Sequence, residues 1–360
     1  MTWLMLFIGL AILVAGAEGL VRGSSKLAAA AGVSPLVIGL TVVAYGTSTP
    51  ELAVSVKAAW TGQSDIALGN VVGSNIFTVL FILGACALIS PLKVNAQLIR
   101  FDVPIMIAVS IALAVMGLNG VLGRIDGVLL FTAIVAYTVY VIRKSRSERK
   151  TVQEAFDADY GDTKKETPVR FIVDIGSVAI GLVMLIFGAR IFVDSAIEVA
   201  QAFGVSELVI GLTIVAIGTS LPEVATSIVA TIRGERDIAI GNVVGSNIFN
   251  ILSVLGISSL VKPISVSPEA LAFDIPVMIA VAVACLPIFF TRSTISRWEG
   301  VIFLGYYVAY TAYLIMNSRA ESVPQIFTNA ILYFALPLTG ITFIILGLLE
   351  RRKSQGLGPS

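Results

Sequence analysis

Residues 36–84 (LVIGLTVVAYGTSTPELAVSVKAAWTGQSDIALGNVVGSNIFTVLFILG) align without a gap on residues 208–256 (LVIGLTIVAIGTSLPEVATSIVATIRGERDIAIGNVVGSNIFNILSVLG), with 32 of 49 positions identical. The match resumes at the same offset of 172, FDVPIM at 101 against FDIPVM at 273. A chain built this way must fold as two related halves. The relation between the halves depends on how many times each crosses its surroundings.

The chain is 57% hydrophobic and 13% charged, against about 45–50% and about 25% in soluble domains. It therefore reads as an integral membrane protein with the lipid bilayer as its solvent. Apolar stretches near the length a bilayer core demands fall at 3–30, 35–60, 66–90, 101–119, 124–143, 170–203, 207–232, 238–262, 273–291, 297–317 and 325–349. None shows the alternation of a membrane barrel, so eleven helices are expected. The first, from Trp3, lacks a basic leader region and reads as a retained span. Five spans per half is an odd number, so the two halves enter the membrane from opposite sides. The expected fold is an all-α polytopic membrane protein with two inverted five-helix repeats, 1–143 and 170–317. A polar linker at 144–169 joins them, and an eleventh helix and tail follow at 318–360.

Charge supports this layout. With the linker cytoplasmic, Arg22, Lys26, Lys93, Arg100, Arg233, Arg236, Arg292, Arg297, Arg351, Arg352 and Lys353 share its side. Lys57, Arg124, Arg190, Lys262 and Arg319 lie within spans or outside. The positive-inside rule then gives a cell-membrane protein with an outside N-terminus and a cytoplasmic tail. Arg22 and Lys26 become Asp194 and Glu198 in the second half, and the turn TGQSD becomes RGERD, as opposite orientations require.

The composition also excludes several chemistries. Histidine is absent and the two cysteines, Cys86 and Cys285, sit in apolar stretches. This removes histidine triads, zinc sites and thiolate clusters. There is no P-loop, and the formal net charge of +1 forms no nucleic-acid patch. No Ser/Lys dyad or paired catalytic Asp motif points to an enzyme, and no resident cofactor is expected.

Each half places one acidic residue mid-span, Glu51 in GTSTPE and Glu223 in GTSLPE. A carboxylate at that depth costs on the order of 3 kcal/mol, so it marks function by default. The proline before each Glu removes an N–H, which is expected to free the carbonyls of Gly46 and Gly218 as oxygen ligands. Thr47 and Thr219 lie one helical turn before the Glu residues, and Ser48 and Ser220 add hydroxyls. The next span opens with GNVVGSNIF, whose Asn70, Ser74 and Thr78, like Asn242, Ser246 and Asn250, form a stripe at i, i+4 and i+8. Gly69, Gly73, Gly241 and Gly245 allow close helix packing. Asp102, Asp274, Asp65 and Asp237 are expected as helix caps. Glu18 and Arg190 occupy equivalent places in the first span of each half.

All these donors are oxygens, which suits Ca²⁺ and also Na⁺. Two ionised Glu side chains neutralise one Ca²⁺. Emptied of calcium, they must take up Na⁺ or protons before crossing a region of low dielectric, and mutually exclusive occupancy gives exchange.

GTS[TL]PE followed by GNVVGSNIF, present twice, resembles the two α-repeats of the cation/calcium exchanger superfamily, in its sodium/calcium exchanger branch of prokaryotic type. The resemblance covers about residues 1–317. It implies a ten-helix core, four short helices around the ions and two long tilted helices that slide during alternating access. It also implies Thr47, Ser48, Glu51, Ser74 and Thr78, with Thr219, Ser220, Glu223, Ser246 and Asn250, as ion ligands. Potassium-dependent members carry Asp where this chain has Asn250, which points to a potassium-independent exchanger. Many relatives carry Asn where this chain has Thr78. The leading expectation is Ca²⁺/Na⁺ antiport; the alternatives are H⁺/Ca²⁺ or other divalent-cation antiport, and a passive cation channel.

Overall fold

The computed structural model describes residues 1–147, 168–204, 214, 216–290 and 293–318. The expected eleventh span and most of the linker lie outside these residues.

Helix α1 (Thr2–Ala31) stops at Gly32, whose φ of 63° is the left-handed value that glycine adopts freely. Ser34 then accepts the Val37 N–H and caps the next segment, with Pro35 at its first position. That segment is broken into α2 (Pro35–Thr47) and α3 (Thr49–Thr61), bent by 46° at Ser48. Helices α4 (Ser64–Ile89), α5 (Leu98–Gly117) and α6 (Arg124–Ser147) complete the first half. The second half runs through α7 (Pro168–Ala202), the short α8 (Ala216–Gly218), α9 (Leu221–Ile232), α10 (Arg236–Val261), α11 (Ala270–Leu286) and α12 (Arg297–Ser318). Among the described residues seven helices are long and apolar enough to cross a membrane, or eight with the bent pair α2–α3 taken as one span, while α9 and α11 are shorter apolar helices and most of the first half of the expected span 207–232 lies outside the described residues. Helix α6 runs on to Ser147, placing Lys144 and Arg146 in its last turn, where the helix dipole favours positive charge.

The inverted symmetry is visible in the packing of α1 against α7. A Cβ built on Gly9 would lie 3.1 Å from the Gly188 carbonyl, and one on Gly188 would lie 3.1 Å from the Gly9 carbonyl. The same reciprocity holds at 2.8 Å between Gly16 and Gly181. Gly9 and Gly16 are the repeat equivalents of Gly181 and Gly188, so an antiparallel pair meets itself across a pseudo-two-fold axis. Small residues are what allow two helix backbones to approach this closely in lipid.

Two short antiparallel ladders fasten the ends. β1 (Leu92–Lys93) pairs with β4 (Thr294–Ile295), and β2 (Val121–Leu122) pairs with β3 (Ile264–Ser265). Each joins loops from different halves, as the inverted layout requires.

The layers follow from enclosure. The apolar window of α10 is 100% enclosed by protein and that of α4 72%, whereas those of α1 and α7 are 33% and 28% enclosed. The motif-bearing helices therefore form the centre, and the two long helices flank it with one face toward lipid.

The capping expectation for Asp102 and Asp274 is overturned. Asp102 already lies in a widened π-helical turn, Leu98–Asp102, and makes no cap hydrogen bond. Its carboxyl instead accepts the Tyr137 hydroxyl at 3.0 Å and the Gln97 amide at 3.2 Å. Asp274, in the matching turn Ala270–Asp274, accepts from Tyr310 at 3.4 Å. The helix begins earlier than FDxP suggests, so no orphan N–H waits for these carboxylates, and Asp102 ties α5 to α6 instead. Asp65 and Asp237 sit in the first turns of their helices without being the cap residues, which are Gln63 and Glu235. The capping acids of α6 and α12 are Asp126 and Glu299, which accept the Gly123 and Ser296 N–H groups at 2.8 and 2.6 Å.

Glu18 has a structural account. It forms ion pairs with Arg22 on its own helix and with Arg233 at the end of α9, while Ser25 donates to Glu235 at 3.0 Å. These contacts fasten one half of α1 to the α9–α10 turn. The repeat equivalents are Arg190 and Thr61, which cannot form the same ion pair, so the latch belongs to one side of the molecule only.

Candidate ion-binding site

The site is built on the two helix breaks. Ser48 (φ −83°, ψ 8°) and Ser220 (φ −89°, ψ 7°) have nearly identical backbones in the sparsely populated bridge region. Pro50 and Pro222 lie two residues on, in the first turns of the following helices, where a missing N–H costs nothing and the preceding helix cannot run through. The expectation that Gly46 offers a free carbonyl is corrected in part: that oxygen accepts a backbone N–H of the cap at the break. The glycine has a second reason to be there, since a Cβ at Gly46 would collide with the Leu182 side chain of α7. At Gly218 the added Cβ would lie 3.0 Å from Val193 of the same helix. Both glycines thus let the long helix pass close to the breaks.

The two carboxyl groups share one enclosed space. Glu51 and Glu223 are 0% and 1% exposed. Each is held by the serine of the opposite repeat: Ser220 Oγ donates to Glu51 Oε1 at 2.9 Å, and Ser48 Oγ donates to Glu223 Oε1 at 2.9 Å. Ser74 lies 2.9 Å from Ser220 and 3.5 Å from Glu51. Thr47 donates to Asn242 Oδ1 at 3.0 Å and Thr219 to Asn70 Oδ1 at 3.3 Å. Ser48, Ser74 and Ser220 therefore reach the carboxylates, Thr47 and Thr219 are held by asparagines beside them, and almost every link crosses between repeats.

The polar stripes face the same space. Thr78 and Asn250 each begin a one-turn π-helical insertion, Thr78–Leu83 and Asn250–Leu255. Such insertions recur at functional sites. Thr78 donates to the Asn75 carbonyl at 3.1 Å and accepts from Asn247 at 2.7 Å. Asn250 donates to Ser74 at 3.3 Å and to Asn75 Oδ1 at 3.1 Å. Asn75 in turn donates to the Asn247 carbonyl at 3.2 Å. Sequence reasoning did not select Asn75 and Asn247, because each lies five positions after the stripe's first asparagine, which rotates it off that face. Their signal was the GSN triplet itself, repeated in both halves. Packing glycines behave as expected in the second half: Cβ atoms at Gly241 and Gly245 would lie 2.8 and 2.6 Å from the carbonyls of Leu36 and Leu40. The repeat equivalents of Leu36 and Leu40, residues 208 and 212, lie outside the described residues.

Four buried oxygens on the motif residues have no hydrogen-bond partner among the described residues: Glu51 Oε2, Glu223 Oε2, Ser246 Oγ and Asn250 Oδ1. Native proteins seldom leave buried polar atoms unpaired, and a bound ion or water would satisfy these four. Two carboxylates, a hydroxyl and an amide oxygen, with no nitrogen or sulfur donor, form a hard oxygen set fit for a cation such as Ca²⁺ or Na⁺.

Inverted repeats, paired helix breaks and a buried set of oxygen donors define a secondary transporter of the cation/calcium exchange class, not an enzyme. The chain matches the family model for sodium/calcium exchanger protein over residues 1–143 and 173–316, and it belongs to that family. It is 37% identical over 314 residues to Inner membrane protein YrbG of Escherichia coli, covering 86% of this chain and 95% of that one. It is 35% identical over 342 residues to Sodium/calcium exchanger MaX1 of Methanosarcina acetivorans, covering 87% and 98%. Among solved structures, the sodium-calcium exchanger NCX_Mj superposes with a TM-score of 0.73 at 32% identity, over 86% of this chain and 98% of that chain.

Proposed function

We propose that this protein is a Ca²⁺/Na⁺ antiporter that works by alternating access and does not require potassium. The observation that carries the reading is the set of four unpartnered buried oxygens on Glu51, Glu223, Ser246 and Asn250. In this reading the two carboxylates neutralise one Ca²⁺, and Na⁺ replaces it before the site crosses to the other side. Thr47, Thr219, Ser48, Ser220 and Ser74 complete the shell, with the Gly46 and Gly218 carbonyls at its edge. Thr78 contributes a lone pair left over from its two hydrogen bonds. The neutral Asn250, in place of a third carboxylate, supports exchange without potassium. Names such as Sodium/calcium exchanger MaX1 favour sodium over protons as counter-ion. The protein sits in the cell membrane with its N-terminus outside and the 144–169 linker and C-terminal tail in the cytoplasm, as its charge distribution supports.

Calcium uptake into proteoliposomes loaded with Na⁺ and diluted into Na⁺-free buffer tests the proposal, beside a matched set carrying only a pH gradient. Sodium-driven uptake that Glu51→Gln abolishes is the expected result. Uptake driven by the pH gradient alone makes the protein a proton exchanger, and uptake with neither gradient contradicts antiport.

A further inference from the structure

Asn70 and Asn242 open the polar stripes of α4 and α10, yet their bonding differs from that of Asn250, whose Oδ1 is left without a partner. The Asn242 oxygen accepts Thr47 at 3.0 Å, and the Asn70 oxygen accepts Thr219 at 3.3 Å, each across the repeat boundary. The amide nitrogen of Asn242 donates to Ser227 at 3.0 Å and to the Glu223 carbonyl at 3.5 Å. That of Asn70 donates to Ser55 at 2.9 Å and to the Glu51 carbonyl at 3.2 Å. A main-chain carbonyl can only accept, so these contacts fix which end of each amide is nitrogen. The two arrangements match bond for bond across the pseudo-two-fold axis.

An amide that has spent its nitrogen and its oxygen in this way is a holder of other groups. A threonine hydroxyl has one hydrogen and two lone pairs. Directing that hydrogen at the asparagine oxygen leaves the lone pairs for a cation. The other end of the amide fixes the main chain at the glutamate of its own repeat. Aspartate could accept the threonine but would set its oxygen against the glutamate carbonyl with no hydrogen between them, which accounts for asparagine at both positions.

Resting on the cation-exchange reading above, we propose that Asn70 and Asn242 are positioning residues. Each orients a threonine ligand of the opposite repeat toward the transported cation and ties it to the backbone of its own repeat's glutamate. The two asparagines thereby keep the ligands from the two halves in register.

A double-mutant cycle on sodium-driven calcium uptake in proteoliposomes tests this, with Asn242→Ala, Thr47→Val and the double variant. The symmetric cycle Asn70→Ala with Thr219→Val runs beside it, and melting temperatures are measured throughout. Each single change is expected to raise the calcium KM about tenfold, the scale of one oriented hydrogen bond, with melting shifts of a few degrees. The double variant is expected to fall clearly short of the product of the two single effects, because the Thr47–Asn242 bond is lost in either single variant and can be lost only once. Additive effects, or Asn→Ala variants with unchanged KM, overturn the proposal. If one cycle yields unfolded protein, the other decides. Wild-type protein that exchanges no calcium overturns the cation reading and this proposal together, whereas active wild type with additive cycles overturns this proposal alone.

Discussion

Replacing Gly245 by alanine perturbs the site from a distance, without touching a carboxylate. The added Cβ would stand 2.6 Å from the Leu40 carbonyl, 2.7 Å from Leu40 Cα and 2.8 Å from Ala44 Cβ, all on α2. Ordinary contact begins near 3.4 Å, so α2 and α10 must separate by about 0.8 Å, because backbone cannot rotate away as a side chain would. The Thr47 to Asn242 bond joins the same two helices at 3.0 Å, and the same displacement carries it beyond hydrogen-bond range. Overpacking of this kind lowers stability by about 1–3 kcal/mol. A ligand misplaced by about 1 Å reduces turnover by roughly tenfold to a hundredfold. Sodium-driven calcium uptake and thermal melting in detergent measure the two effects. Gly19→Ala serves as control, since its Cβ meets nothing closer than 3.7 Å. A Gly245→Ala protein with wild-type stability and wild-type transport would refute the claim that this contact sets the distance between the repeats.

Three further outcomes are expected. Calcium binding weakens as pH falls, because protons compete for Glu51 and Glu223 while the other ligands do not titrate; calorimetry in buffers of different ionisation heat reads the protons released per calcium. Tyr137→Phe removes one of the two donors to the buried Asp102 carboxyl, lowering stability by about 1–3 kcal/mol with no change in the ratio of Na⁺ to Ca²⁺ affinity. Arg233→Gln removes one partner of Glu18 and leaves Arg22, so stability falls by under about 1 kcal/mol, and thermal melting in high salt shows no difference from wild type.

Much of this architecture was legible because it is written twice. The offset of 172 and an odd span count per half require an inverted pair. Two mid-span glutamates, each following a proline, mark the site. Hydrogen-bond destinations were not legible. FDxP looks like a capping motif in one dimension, but Asp102 is met by Tyr137 from the next helix, a contact no local pattern encodes. Gly46 reads as a loosened carbonyl, yet its missing side chain also makes room for Leu182 of α7. Asn75 and Asn247 fall off the helical stripe and act across the repeat interface. Periodicity within one helix reports one face, whereas this site is made where faces of two halves meet.

The central claim is that the orphaned oxygens around Glu51 and Glu223 hold the transported cation. Equilibrium binding of radioactive calcium to purified protein, titrated with Na⁺ and compared with the double variant Glu51→Gln, Glu223→Gln, tests it most directly. Saturable calcium binding displaced by Na⁺ and lost in the double variant is the predicted result. Calcium bound equally well by the double variant would contradict the account.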